Sequence, residues 1–159
     1  MSVMRRVVIL GRGGAGKSTF ARSLSEITGI RAVQLDEHFW SDTLDPLCPT
    51  EWAARQATLV ADDRWILDGD LGPYDVLEAR LHHADTVVVL DYSFARAAWR
   101  AARRSRERAD FWLWVWHYRR RSRPAIRTAL AVHAAGAEIH WLVTPRQARR
   151  LLTKVASDR

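Results

Sequence analysis

Cysteine is nearly absent from this chain of 159 residues: Cys48 stands alone, which excludes an internal disulfide and any zinc site built on cysteines. One free thiol also fits a reducing compartment. Long apolar runs are missing too. In the N-terminal stretch MSVMRRVVILGRGG a basic pair precedes only four apolar residues, Val7 to Leu10, before the glycines begin. That is too short for the core of an export signal, and no later run approaches the roughly 18 residues of a membrane span. The expectation is a cytoplasmic protein with no membrane segment. Lysine is scarce: Lys17 and Lys154 are the only two among 25 basic residues, and the formal charge is +7. The histidines (His38, His82, His83, His117, His133 and His140) form no H-E-x-x-H pair, so no transition-metal site is expected. Repeats, low-complexity tracts and linkers are also lacking, so residues 1–159 read as one domain.

What is present is an alternation of short apolar runs with helical stretches. Val7 to Leu10, Ala32 to Leu35, Trp65 to Leu67, Thr86 to Leu90 and Ile139 to Val143 read as five buried strands of a parallel sheet. Helices are expected near 17–27, 50–62, 73–83, 94–135 with interruptions, and 145–155, with Gly29 and Gly136 as stops and Thr144–Pro145 as an N-cap and first turn. This order predicts an α/β three-layer sandwich. Two segments interrupt it. Residues 37–49, EHFWSDTLDPLCP, read as a polar and aromatic loop covering a substrate, the start of an acceptor-side region at about 37–62. Residues 103–123 are dense in arginine and aromatics and suit a lid over a nucleotide.

Residues 11–19, GRGGAGKST, satisfy G-x-x-x-x-G-K-[ST] in full. The pattern has a physical demand behind it. Backbone amides from Gly13 through Gly14, Ala15, Gly16, Lys17 and Ser18 must converge on an anion, and the glycines at 11, 13, 14 and 16 permit the dihedrals and the close approach. Lys17 offers its charge to the β- and γ-phosphates, the Ser18 hydroxyl is a magnesium ligand, and Thr19 continues into a helix whose N-terminal dipole also favours the anion. ATP with Mg2+ is the expected ligand.

Further along, WILDGD at 65–70 resembles the third strand of adenylate kinase-type enzymes, and ADTVVVLD at 84–91 resembles their fourth. Arg100 and Arg104, nine and thirteen residues after Asp91, match the paired lid arginines of that superfamily. LDEHFW at 35–40, WILDG at 65–69, ADTVVVLD and FWLWVWHYRRRSRP at 111–124 together resemble the bacterial topology modulation, or FlaR-like, proteins. The resemblance covers most of the chain and implies the nucleoside monophosphate kinase-like P-loop fold, with a five-stranded parallel sheet in the order 2-3-1-4-5 and a short lid. It implies Asp68 in a Walker B-like position near magnesium, Arg123 reaching the γ-phosphate, and an adenine-side loop at Thr144 to Gln147, where Pro145 lies. One departure stands out. Asp68 and Gly69 are followed by Asp70, Leu71 and Gly72, where adenylate kinase-type enzymes carry a Phe-Pro-Arg whose arginine holds the acceptor phosphate. The loop after strand two is acidic and aromatic, with Arg55 its nearest basic residue. A neutral or cationic hydroxyl acceptor fits that loop better than a nucleoside monophosphate.

Asp36 ends the second strand, where ligands of open α/β sheets gather. It reads either as the group that binds the acceptor hydroxyl or takes its proton, or as a plain loop carboxylate. Asp70 shares the magnesium work of Asp68 or serves as a base at the substrate, His38, Phe39, Trp40 and Trp52 are acceptor-pocket candidates, and Asp91 reads as structural. Arg100 and Arg104, at i and i+4, face one side of a helix and act as transition-state clamps or as a solvated face. Arg119, Arg120 and Arg121 are solvated or bind a polyanion. Trp112, Trp114 and Trp116 pack the lid or stack on bases. Two functions follow from different classes. One is transfer of the γ-phosphoryl group of ATP to a small acceptor, a hydroxyl compound, nucleoside or nucleotide. The other is nucleotide-dependent binding of nucleic acid through the basic stretch between Arg96 and Arg127. A GTPase switch lacks the N-K-x-D motif for guanine. Oligomeric state is open.

Overall fold

Four consecutive side chains, Val7 to Leu10, have no exposed surface. Such a run is stable in a strand covered on both faces. They form the middle of β1 (Arg6–Gly11) in a computed structural model that describes residues 4–12, 14–40, 45–72, 75–92 and 122–158. Around β1 lie β2 (Ala32–Gln34), β3 (Trp65–Asp68), β4 (Thr86–Leu90) and β5 (Glu138–Leu142), in the spatial order β2-β3-β1-β4-β5 with every pairing parallel. This is the three-layer α/β sandwich with the 2-3-1-4-5 order that the sequence implies.

Alternate residues serve opposite layers, as the period of two requires. Val7, Ile9, Val88 and Leu90 face one side, where α1 (Lys17–Thr28) and the last helix, α5 (Pro145–Ser157), supply Phe20, Leu24, Leu151 and Val155. Val8, Leu10, Val87 and Val89 face the other. There they meet Trp52 from α2 (Pro49–Leu59) and Ile126 and Leu130 from α4, the helix over residues 122–133. The short α3 (Glu78–Leu81) packs against α2 on this same side, where Leu81 joins the cluster.

The structure corrects several boundaries. β2 stops at Gln34 because Leu35 enters a single 3-10 turn over Leu35–Glu37, closed by the His38 amide donating to the Leu35 carbonyl at 3.0 Å. α2 ends at Leu59, since the polar residues beyond Val60 have no layer to pack on. The largest change is at 73–83, where among the described residues 75–83 the helix is only Glu78–Leu81. Its approach is pinned as a loop by Asp75, whose carboxylate accepts from the Leu71 amide at 3.2 Å and the Trp52 indole at 3.2 Å. Arg80 closes on the same carboxylate with both terminal nitrogens, at 2.8 and 2.6 Å, and also donates to Gln56 Oε1 at 2.8 Å and the Gly69 carbonyl at 3.0 Å. The side chain of Arg80 is 0% exposed and that of Asp75 is 1% exposed. This pair ties α2 and α3 to the loop that leaves β3.

Removing one member of a buried, hydrogen-bonded ion pair strands the other charge away from water. Arg80→Met should therefore lower the unfolding free energy in urea by about 3–5 kcal/mol. The double change Arg80→Met/Asp75→Leu should recover a large part of that loss. A single-variant loss below about 1 kcal/mol would show that the pair does not hold the loop.

Candidate functional site

The parallel register sets what meets at the carboxyl edge of the sheet. Gly11 is level with Leu90, and Ile9 is level with Asp68, which is level in turn with Gln34. The P-loop, Asp68, Asp91 and the turn carrying Asp36 therefore all leave the sheet along one edge, the place where ligands bind in open α/β folds.

The P-loop shows why its residues are what they are. Gly11 packs so tightly against β4 that a Cβ there would sit 2.5 Å from the Leu90 carbonyl oxygen. Gly16 caps α1 in the left-handed region at φ 87°, so the chain turns sharply before its first helical amides. Ala15 is buried and its amide donates to the Arg12 carbonyl at 3.1 Å, while Gly14 and Lys17 are half-buried and Thr19 is exposed on the first turn of α1. Lys17 Nζ donates to the Arg12 carbonyl at 3.4 Å. Gly13 lies outside the described residues.

Lys17 is surrounded by carboxylates. It is the main counter-charge to Asp36, Asp68 and Asp70 alike. Asp68 is 4% exposed, has the Ser18 hydroxyl close enough to draw its carboxyl down, and keeps a buried oxygen, Oδ1, without a hydrogen-bond partner. Asp70 Oδ1 accepts from the Gly72 amide at 3.0 Å, and its Oδ2 is buried and unpartnered. Burial pushes both carboxyls above their ordinary range, and Lys17 opposes that rise. Asp36 reaches solvent, yet the crowding of protein around it also raises its carboxyl, with Lys17 again opposing and Asp75 and Glu37 adding to the rise. The adjacent Ser18 hydroxyl and Asp68 carboxylate are oxygen donors of the kind a hard divalent cation takes. Among the described residues no group of three His, Cys, Asp or Glu side chains is placed to hold a metal. Magnesium does not need one, because it keeps waters and phosphate oxygens around one or two protein ligands.

Other candidates fall differently. Phe39 is a core residue rather than a pocket residue: it is 4% exposed and meets Trp52 edge to face at 5.4 Å. Trp52 is fully buried and serves Asp75. Trp40 points outward at 47% exposure, above a bridge to Pro46, and His38 is half-buried beside it. Arg55 is exposed on α2. Arg80 donates to the Gly69 carbonyl at the acceptor end, but Asp75 occupies it. Pro145 takes the first turn of α5, where Thr144 and Gln147 form a capping box. Arg123 pairs with Asp91, Nε to Oδ2 at 3.1 Å. His82 lies in the turn after α3 and contacts His133 at 3.1 Å. Arg100, Arg104, Arg119, Arg120, Arg121, the three tryptophans of the 111–116 segment and nearly all of the expected lid lie outside the described residues.

Sequence reasoning missed two assemblies. Arg80 with Asp75 and Gln56 spans three elements, and nothing in the spacing of these residues marks it. Trp141 reads as an ordinary strand aromatic, but its indole donates to Asp91 Oδ2 at 3.1 Å and its ring lies beneath Arg123 and Arg127.

No family model matches the chain, and no curated protein does. Solved structures match it along nearly the whole length at low identity. A shikimate kinase from Acinetobacter baumannii in complex with shikimate aligns with a TM-score of 0.60 and 18% identity, covering 96% of this chain and 90% of that one. A gluconokinase from Sinorhizobium meliloti gives a TM-score of 0.60 at 14% identity over 99% and 97% of the two chains. A deoxyadenosine kinase from M. mycoides with bound dCTP gives 0.52 at 15% identity over 95% and 98%. The chain has the α/β fold of P-loop kinases.

A carboxyl whose folded-state pKa is raised binds a proton more readily folded than unfolded. Its contribution to stability is thus present at low pH and is lost as pH rises through the folded value. Asp70→Asn should unfold at a higher denaturant concentration than the parent at pH 7. That advantage should shrink as pH falls from the raised folded value toward the ordinary carboxylate range, and be absent below it. An Asp70→Asn protein that is less stable than the parent at pH 7 would show that the ionised carboxylate is satisfied where it stands.

Proposed function

We propose that this chain is a phosphotransferase moving the γ-phosphoryl group of ATP to a small acceptor with a free hydroxyl. The observation that carries the reading is the set Lys17, Ser18 and Asp68 at the mouth of a full P-loop, with buried carboxylate oxygens there that lack protein partners. A fold that gains stability has no use for such groups; a site that must engage a cation and phosphates does. Ser18 and Asp68 would hold Mg2+, Asp68 through water, and the ion would neutralise charge on the β- and γ-oxygens.

The chain's own groups account for the remainder. P-loop amides and Lys17 bind and align the triphosphate. Asp36, held two residues past β2 in its 3-10 turn, accepts the proton of the acceptor hydroxyl as the new O–P bond forms. The bond from the γ-phosphorus to the β,γ-bridging oxygen breaks, and the electron pair leaves on ADP. A raised carboxyl pKa suits Asp36 as a proton acceptor. Arg100, Arg104 and Arg123 would draw charge from the transferring group in the transition state. The acidic acceptor end, where Asp75 occupies Arg80, supports an acceptor without a phosphate. His38, Trp40 and Asp70 are its proposed contacts, Pro145 lines the adenine side, and 37–62 and 103–123 act as acceptor-side region and lid of one domain. LDEHFW, WILDG and the tryptophan-rich segment support placing the chain with the topology modulation (FlaR-like) proteins of the adenylate kinase-like superfamily, in the cytoplasm where ATP is available.

Incubating the chain with MgATP and a panel of nucleosides, nucleotides, amino sugars and other hydroxyl compounds should give ATP consumption with a phosphorylated product. In that assay Asp36→Asn should lose about 10²–10⁴-fold in turnover while MgATP still binds. Lys17→Ala should lose MgATP binding by about tenfold or more. MgATP binding with no turnover on any acceptor would count against the kinase.

A second reading has an observation of its own. Arg146, Arg149, Arg150 and Lys154 are all exposed along α5, a helix without acidic residues. Nucleic-acid binding through such a row would weaken steeply with salt and would survive Lys17→Ala. Binding of a DNA or RNA duplex that Lys17→Ala abolishes, or that ignores salt, would remove this reading.

A further inference from the structure

Asp91 is the first residue past β4. Leu90 pairs with Gly11, so Asp91 leaves the sheet beside the start of the P-loop. Its amide donates to the Leu142 carbonyl at 2.9 Å, which ties its backbone to β5. The side chain is 1% exposed and two groups converge on the same oxygen, Oδ2: the Trp141 indole nitrogen at 3.1 Å and Arg123 Nε at 3.1 Å. The guanidinium of Arg123 also lies over the Trp141 ring, 5.8 Å from its centroid, with that of Arg127 5.1 Å from the same ring. Arg123 is thus held at its Nε edge by charge, without a hydrogen bond, and against an aromatic face. Its side chain is still 33% exposed, and among the described residues nothing is recorded on its two terminal nitrogens.

A guanidinium fixed through Nε presents its end-on pair of N–H groups as a preformed fork, the geometry that binds a phosphate bidentately. We propose that Asp91, with Trp141, is a positioning device that fixes Arg123 for the terminal phosphate of the nucleotide. The proposal rests on the reading of the site as a phosphotransferase. It changes the part played by Asp91 from closing a strand to aiming a cation.

Positioning and charge quenching predict opposite signs. If Asp91 merely neutralised Arg123, removing its charge would leave the arginine a stronger phosphate ligand, and ATP would bind more tightly. If Asp91 aims Arg123, the freed side chain must be ordered anew on each binding event, and ATP binds more weakly. MgADP lacks the γ-phosphate and serves as the internal control for damage to the fold.

Calorimetric titration of MgATP and MgADP into the full chain and three variants tests this. Arg123→Ala and Asp91→Asn should each weaken MgATP by about tenfold and leave MgADP within about twofold. Adding Asp91→Asn to Arg123→Ala should have little further effect, because the two act as one unit. Trp141→Phe keeps the ring and deletes the donor to Asp91, so it should give a smaller loss confined to MgATP. Tighter or unchanged MgATP binding in Asp91→Asn would overturn the proposal, as would an equal loss for both nucleotides. If the parent binds neither nucleotide, the phosphotransferase reading falls with it. If the parent binds both and Arg123→Ala changes nothing, this inference alone fails.

Discussion

β1 is hydrogen-bonded on both sides, to β3 in one direction and β4 in the other, and the remainder of the site depends on that placement. A strand so enclosed has no edge at which to slip. A one-residue shift would turn Val7 and Ile9 toward the layer built for Val8 and Leu10. With its register fixed, the P-loop must emerge between the ends of β3 and β4, and Asp68 and Asp91 stand on either side of it. The chemistry is assembled by sheet register first and by side-chain contacts second.

The two sides of β1 are arranged on different physical terms. Toward β3 the charges are carboxylates, and Lys17 is their main counter-charge; their burial raises their pKa values and leaves oxygens of Asp68 and Asp70 without partners. Such a cluster weakens the empty fold and becomes favourable when a cation and phosphates arrive. Toward β4, among the described residues, the buried carboxylate is Asp91, whose Oδ2 takes the Trp141 indole and the charge of Arg123 while its Oδ1 is buried without a hydrogen-bond partner. The first side is built to receive charge and the second to present it. Arg80 belongs to neither, because Asp75 and Gln56 commit it to holding the β3–α3 loop against α2.

Much of the fold was legible in the sequence because its signals are local. β-branched runs mark the strands, glycines mark the P-loop, and Thr144–Pro145 marks the start of α5. The placement of Asp36 and Asp68 along the carboxyl edge was legible for a similar reason, as acids at or just past strand ends in a parallel sheet. The length of α3 was not, because the residue that stops it is Asp75 responding to Arg80 and Trp52, and no local propensity encodes that response. Phe39 was misplaced because a polar loop around an aromatic looks like a pocket, whereas its ring turns inward onto Trp52. Trp141 carried no signal, since a tryptophan in a strand is unremarkable until the strand beside it runs on into Asp91.

The central claim is that this edge stabilises a phosphoryl group in transfer, beyond binding a nucleotide. The most direct measurement is the affinity of ADP in the presence of Mg2+, with and without fluoroaluminate as a mimic of the transferring group. Transition-state mimics bind enzymes built for the reaction at least about a hundredfold more tightly than ground-state ligands. The account predicts a gain of that order in the parent chain. Equal affinity with and without fluoroaluminate would mean that the site binds nucleotide but does not transfer phosphate.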